Sequence, residues 1–183
     1  MSAAYTSYVD QPGLLGALSA AGLSPRYIGT TLYVSDLAAA QSIVASYNPL
    51  AATQAEIITQ IQTILSEKIA AGFTYNGVTV GINPSNGDIQ NITAMAATAM
   101  ANIQATALGI TVEPWPTNFA WLPQGSGASL PLTPAEMITF GDAASHYYSA
   151  LILYADNLES QVMAATTAAD VLAINITTGW PTS

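Results

Sequence analysis

The stretch TPAEMITFGDAASHYYSALILYADNLESQVMAA, residues 133–165, decides the fold. Thr133 is placed to cap a helix, and Pro134 takes the first helical position, where its missing N–H costs nothing. Glu136 can reach back to the cap and close a capping box. From there Met137, Gly141, Ala144, Tyr148, Leu151, Ala155, Leu158 and Val162 recur at alternating spacings of four and three, a heptad seam. The pattern predicts one long helix over about residues 134–165. Small residues alternate with large ones along the seam, so a partner helix can approach closely. That partner is either an upstream helix of the same chain or a second copy. In the second case Tyr148, Leu151 and Leu158 are the candidate interface residues.

Two upstream segments have the period needed to supply a partner from within the chain. Thr53 with Glu56 reads as a second capping box, followed by Ile57, Ile58, Ile61, Ile64, Leu65 and Ile69 and stopped by Gly72. Ile89, Ile92, Ala96, Ala99 and Ile103 share one face of a helix over about residues 86–107. Between them, Phe73 to Val80 carries Asn76-Gly77 inside alternating apolar residues, the signature of a type I′ hairpin. The segment Thr111–Pro131 is rich in Pro and Gly. Glu113-Pro114-Trp115-Pro116 excludes a helix, and residues 119–122 and 129–132 can pair across the Gln124–Gly127 turn. Residues 11–50 read as a smaller helix–strand–helix unit. Its helix holds Leu14, Leu15 and Leu18, its strand runs from Arg26 to Val34, and a second helix is capped by Ser35 or Asp36. The expected fold class is mainly α, with α+β character at the edges. The expected architecture is an antiparallel three-helix bundle with short β-hairpins over residues 51–183, preceded by a small unit over residues 1–50.

Composition narrows the function classes. The chain has 183 residues, with Arg26 and Lys68 its only cations against 11 carboxylates; the net charge is -9 and 7% of residues are charged. A soluble domain ordinarily carries about 25% charged residues. Mean hydropathy is +0.38, yet the apolar run Ala150–Ala155 is far short of the roughly 20 residues of a spanning helix. A surface covered by other protein is the remaining reading. Two cations distant in sequence cannot form the basic cluster that phosphates require, so no nucleic-acid or anionic-membrane partner is expected. Met1 to Tyr5 has neither a basic segment nor an apolar one, so no signal peptide is expected.

Catalytic and metal chemistry find little support. The chain has no cysteine and a single histidine. His146 lies one helical turn after Asp142, an acid–base geometry, but a half-buried structural histidine is the commoner occurrence. Asn83 to Asp88 superficially resembles a calcium loop but lacks the terminal glutamate, and reads instead as a loop with a helix start. Gly125-Ser126-Gly127 is not a nucleophile elbow, because a helix must follow the serine there. No catalytic, cofactor-binding or metal residue is expected, and no enzyme. Trp115, Trp121 and Trp180 read as anchors for Pro-rich loops; a sugar platform is the alternative.

Several segments, in order, carry a family resemblance: Gly72 to Val78, Ile89 to Thr93, Trp121, Leu132 to Met137, Ala144-Ser145-His146, and the closing Ile174 to Pro181. Together residues 72–181 resemble a domain of unknown function found in tailed-bacteriophage tail-fibre and tail-associated proteins. Where the family usually has an acidic stretch after the hairpin, this chain has Val80-Gly81-Ile82-Asn83. Residues 1–50 look like an attachment leader. The resemblance implies a non-enzymatic virion tail component, fibre-associated or baseplate-proximal, made in the host cytoplasm. Its partners would be other tail proteins and copies of itself in a trimer or ring. The alternatives are a tail-fibre assembly chaperone absent from the mature virion, and a carbohydrate-binding module at a fibre tip.

Overall fold

The structure, a computed structural model, describes residues 3–5, 13–28, 31–125 and 127–183. More than half of these lie in six helices, and the strands are short and antiparallel, so the fold is mainly α with small β elements. The chain divides into two compact units, Met1–Gln60 with Leu158–Ile176, and Ile61–Asn157 with Thr177–Ser183.

In the first unit, α1 (Leu14–Ala20) ends at Gly22, whose φ of 75° closes the helix while Leu23 donates its N–H to Leu18 O. The single strand expected from Arg26 to Val34 is instead two: β2 (Arg26–Ile28) and β3 (Thr31–Val34) pair antiparallel, with Ile28 opposite Thr31. Only residues 29 and 30, outside the described residues, separate the strands. Gly29 at the head of so short a connection is itself a hairpin signal. The strand β1 (Ala3–Tyr5) pairs with the other edge of β3 and makes the sheet three-stranded, in the order β1-β3-β2. Alternation puts Leu32 and Val34 on the inner face, where both are fully buried with Leu14, Leu18, Leu23 and Ala40. On the other face Arg26 lies opposite Tyr33, its guanidinium 5.7 Å from the ring centroid. Asp36 caps α2 (Leu37–Ser46) by accepting the Ala39 N–H.

Helix α3 (Pro49–Ala71) starts earlier than the Thr53 box predicts. Asn48 is the cap: its side-chain oxygen accepts from the N–H groups of Leu50 and Ala51, and Pro49 sits at the first helical position. Thr53 is buried within the first turns and donates its hydroxyl to Pro49 O. In the same unit Gln54 donates to Val162 O on α5 (Pro134–Ala164), joining the two helices by a polar contact. Helix α6 (Ala168–Leu172), for which the apolar period gives no signal, is set by Thr167, which accepts from Asp170 N–H and donates to its carboxylate.

In the second unit, Lys68 stands in the last turn of α3, favourable to the helix dipole. Strands β4 (Phe73–Tyr75) and β5 (Val78–Val80) form the hairpin expected at Asn76-Gly77, both residues with positive φ, 49° and 77°. Helix α4 (Asp88–Ala107) packs Ile89, Ile92 and Ala99 inward. Strands β6 (Ala120–Trp121) and β7 (Leu130–Pro131) pair as expected. The α5 capping box forms as predicted: Thr133 N–H and hydroxyl both donate to Glu136, and Glu136 N–H donates back to Thr133 Oγ1. Helix α4 crosses α5 so closely that a Cβ on Gly141 would lie 2.5 Å from Ala96 Cβ.

Candidate functional site

The side chains named from sequence separate into those the chain buries and those it presents. Leu151 and Leu158 are buried within the chain, 0% and 3% exposed, and Tyr148 is half-buried. Met137, Ala144, Ala155 and Val162 of the same seam are buried too. The seam thus serves internal packing, and Leu151 and Leu158 could reach a second copy only by opening the fold. His146 and Asp142 project into solvent with Nε2 3.7 Å from Oδ1, so the histidine is exposed rather than half-buried as expected. Among the described residues no group of His, Cys, Asp and Glu could hold a metal ion. Among the described residues no helix is long and apolar enough to cross a membrane.

The three tryptophans are fixed by aromatic packing. Phe140, fully buried on α5, is the hub: Tyr75 meets it edge-on at 5.3 Å, and Phe73 and Trp121 lie 6.3 and 5.8 Å away. Both hairpins therefore rest on one ring, each aromatic pair contributing about 0.5–1.5 kcal/mol. Trp115 packs tilted against Phe119, centroids 4.6 Å apart, and donates its indole N–H to Leu132 O, closing the loop that leads into α5. Trp180 is buried edge-on against Tyr154 at 5.0 Å, while the Tyr154 hydroxyl donates to Thr178 O. Partial burial raises the pKa of the neighbouring Tyr147, whose ring packs 5.4 Å from Phe73.

Around this aromatic wall open two clefts. One, about 440 Å³, lies between Trp115, Phe119 and the start of α5 at Glu136. The Glu136 carboxyl there is held below its ordinary pKa, first by the Thr133 hydroxyl and then by its backbone N–H. The larger, about 510 Å³, runs between residues 119–124 and the segment Gly81–Asp88. Gln124 ties its rim down, donating its backbone N–H to Thr79 O and its side-chain amide to Ala70 O. On the opposite rim Asp88 Oδ2 accepts from Asn83 N–H at 3.1 Å. Sequence reading passed over Gly81, whose role is steric: a Cβ there would sit 2.5 Å from Asp88 Oδ2. A glycine two residues before an Asn-Pro turn was the available signal.

Neither a curated protein nor a solved structure matches the chain. A family does. Its match starts within α3, upstream of the segment that carries the resemblance, and takes in both clefts and the whole of α5. Over residues 52–178, more than half its length, the chain belongs to the family described as a domain of unknown function, DUF4376.

Proposed function

We propose that the protein is a non-enzymatic structural component of a bacteriophage tail, acting through contacts with other tail proteins. The observation that carries the reading is an uncharged run of sequence that exposes apolar side chains. From Ile89 to Val112 the sequence has no charged residue, and this segment exposes Met100, Ile103, Leu108, Ile110 and Val112, with Leu108 73% exposed. Apolar side chains grouped in this way mark surfaces that other molecules cover. The resemblance of residues 72–181 to a domain of tail-fibre and tail-associated proteins supplies the setting. Contact by the α4 side replaces contact by the α5 seam, because the seam leucines are already buried. A rotationally symmetric assembly, a trimer or ring, would bury the same surface on every copy.

Mass spectrometry of purified virions tests the reading. The protein in the particle, at a fixed ratio to other tail subunits, supports it. The protein in infected-cell lysate but absent from purified virions overturns it in favour of an assembly chaperone.

A further inference from the structure

We propose that the larger cleft binds a neutral saccharide, stacked on Trp121 and hydrogen-bonded to Asp88 and Asn86. The inference is independent of where the protein resides. The cleft's volume, about 510 Å³, falls in the range of small-molecule sites, roughly 300–1,000 Å³, and would take one or two pyranose rings. Its apolar wall is pre-set. Trp121 is half-buried and tilted between Phe140 at 5.8 Å and Phe119 at 6.5 Å, so its ring need not be ordered on binding. A pyranose pairs an apolar C–H face with a polar rim of hydroxyls, and an amphipathic aromatic wall suits the first.

The polar rim suits the second. An ionised carboxylate accepts only, with about four lone-pair positions. The Asn83 N–H occupies one Asp88 position and fixes the group, leaving acceptors for hydroxyl donors. Gly81 supplies the room in which that carboxylate sits. Asn86 adds a primary amide, which both donates and accepts as a hydroxyl does, while the Gln124 amide, held by Ala70 O, keeps the rim in place. Charge then selects among sugars. The cleft wall carries Asp88 and no cation, and Lys68 is the one cation of this unit, so phosphates, uronates and sialylated glycans are repelled. An extended peptide has less to gain, because Gln124 N–H already takes the Thr79 carbonyl on β5 that an added strand would use.

The test is calorimetric titration of the full chain with neutral hexoses and their disaccharides, alongside glucuronate, sialyllactose and decaproline. We expect a neutral sugar to bind in the micromolar-to-millimolar range, with the acidic sugars and the peptide silent. Asn86→Ala, at an exposed side chain, should weaken binding about tenfold without shifting thermal unfolding. Asp88→Asn should weaken it as well. Three results would each overturn the proposal: no neutral sugar binding at millimolar concentration, equal binding of acidic sugars or decaproline, or wild-type affinity in a folded Asn86→Ala variant.

Discussion

Gly141→Ala puts the close crossing of α4 and α5 to a quantitative test. On an isolated helix the substitution would stabilise by about 1 kcal/mol, because glycine has more conformational freedom to lose than alanine. Here the added Cβ would lie 2.5 Å from Ala96 Cβ and 3.6 Å from Ile92 O. Ala96 Cβ is a methyl fixed to the α4 backbone and cannot rotate away, so the helices must separate. Overpacking of this kind costs about 1–3 kcal/mol. The difference is a net loss of roughly 0–2 kcal/mol, or a few degrees in the unfolding midpoint for a chain of this size. Ala96→Gly alone should cost about 1 kcal/mol in helix propensity. In that background Gly141→Ala should become stabilising, by about 1 kcal/mol, since the facing methyl is gone. The assay is a double-mutant cycle by urea denaturation, and a coupling of about 1–3 kcal/mol between the sites is the expected result. Stabilisation by Gly141→Ala in the otherwise native chain, with no coupling to Ala96, would refute the close crossing.

Gly77→Val has open space around it but places a β-branched residue at a φ of 77°; it should cost about 1–3 kcal/mol and show first as faster amide exchange in β4 and β5. Trp180→Ala removes a buried ring from Tyr154; a loss of about 3–5 kcal/mol is expected by thermal denaturation, and an unchanged midpoint would mean the C-terminal segment is not docked. Glu136 has a folded pKa below its ordinary 4.5, so its box stabilises α5 above that pH and the benefit fades as pH falls through the lowered value; Glu136→Gln should therefore differ from the native chain at pH 7 and converge with it in acid. Static light scattering on the purified chain tests self-association: a monodisperse 18.9 kDa species at micromolar concentration would leave covering of the α4 side to other proteins.

What was legible in the sequence was whatever local chemistry states twice. Residues 133–165 declare a helix through Thr133-Pro134 with Glu136 and again through the seam, and both signals agree with the structure. Asn76-Gly77 is equally redundant, lying between alternating apolar residues. Legibility failed where one residue could serve two neighbours. Asn48-Pro49 reads as the end of α2, but the same pair caps and begins α3, and Thr53 drew the start downstream because its hydroxyl could cap with equal chemistry. Arg26 to Val34 is strand-like in composition apart from Gly29, and that one interruption is easily overlooked beside β-branched and aromatic neighbours. The cleft was illegible for a different reason. Gly81 and Asp88 meet Trp121 and Gln124 through the rings gathered at Phe140 and the Gln124 bonds to Thr79 and Ala70, and no spacing along the chain encodes that meeting. The seam was visible, but periodicity cannot say which helix meets it; the structure sets α4 against Gly141 and α3 against Val162.

The scarcity of cations has one more consequence, for proteolysis. Trypsin can cut this chain after Arg26 and after Lys68 alone, and the two sites fall in different compact units. Neither bond is presented for cleavage: Arg26 is paired in β2, and Lys68 lies inside the last turn of α3. A protease needs several residues of extended, unpaired backbone, so each cut must wait for local opening. Limited digestion of the native chain is therefore a two-channel clock, in which a break after Arg26 times the opening of the three-stranded sheet and a break after Lys68 times the fraying of α3.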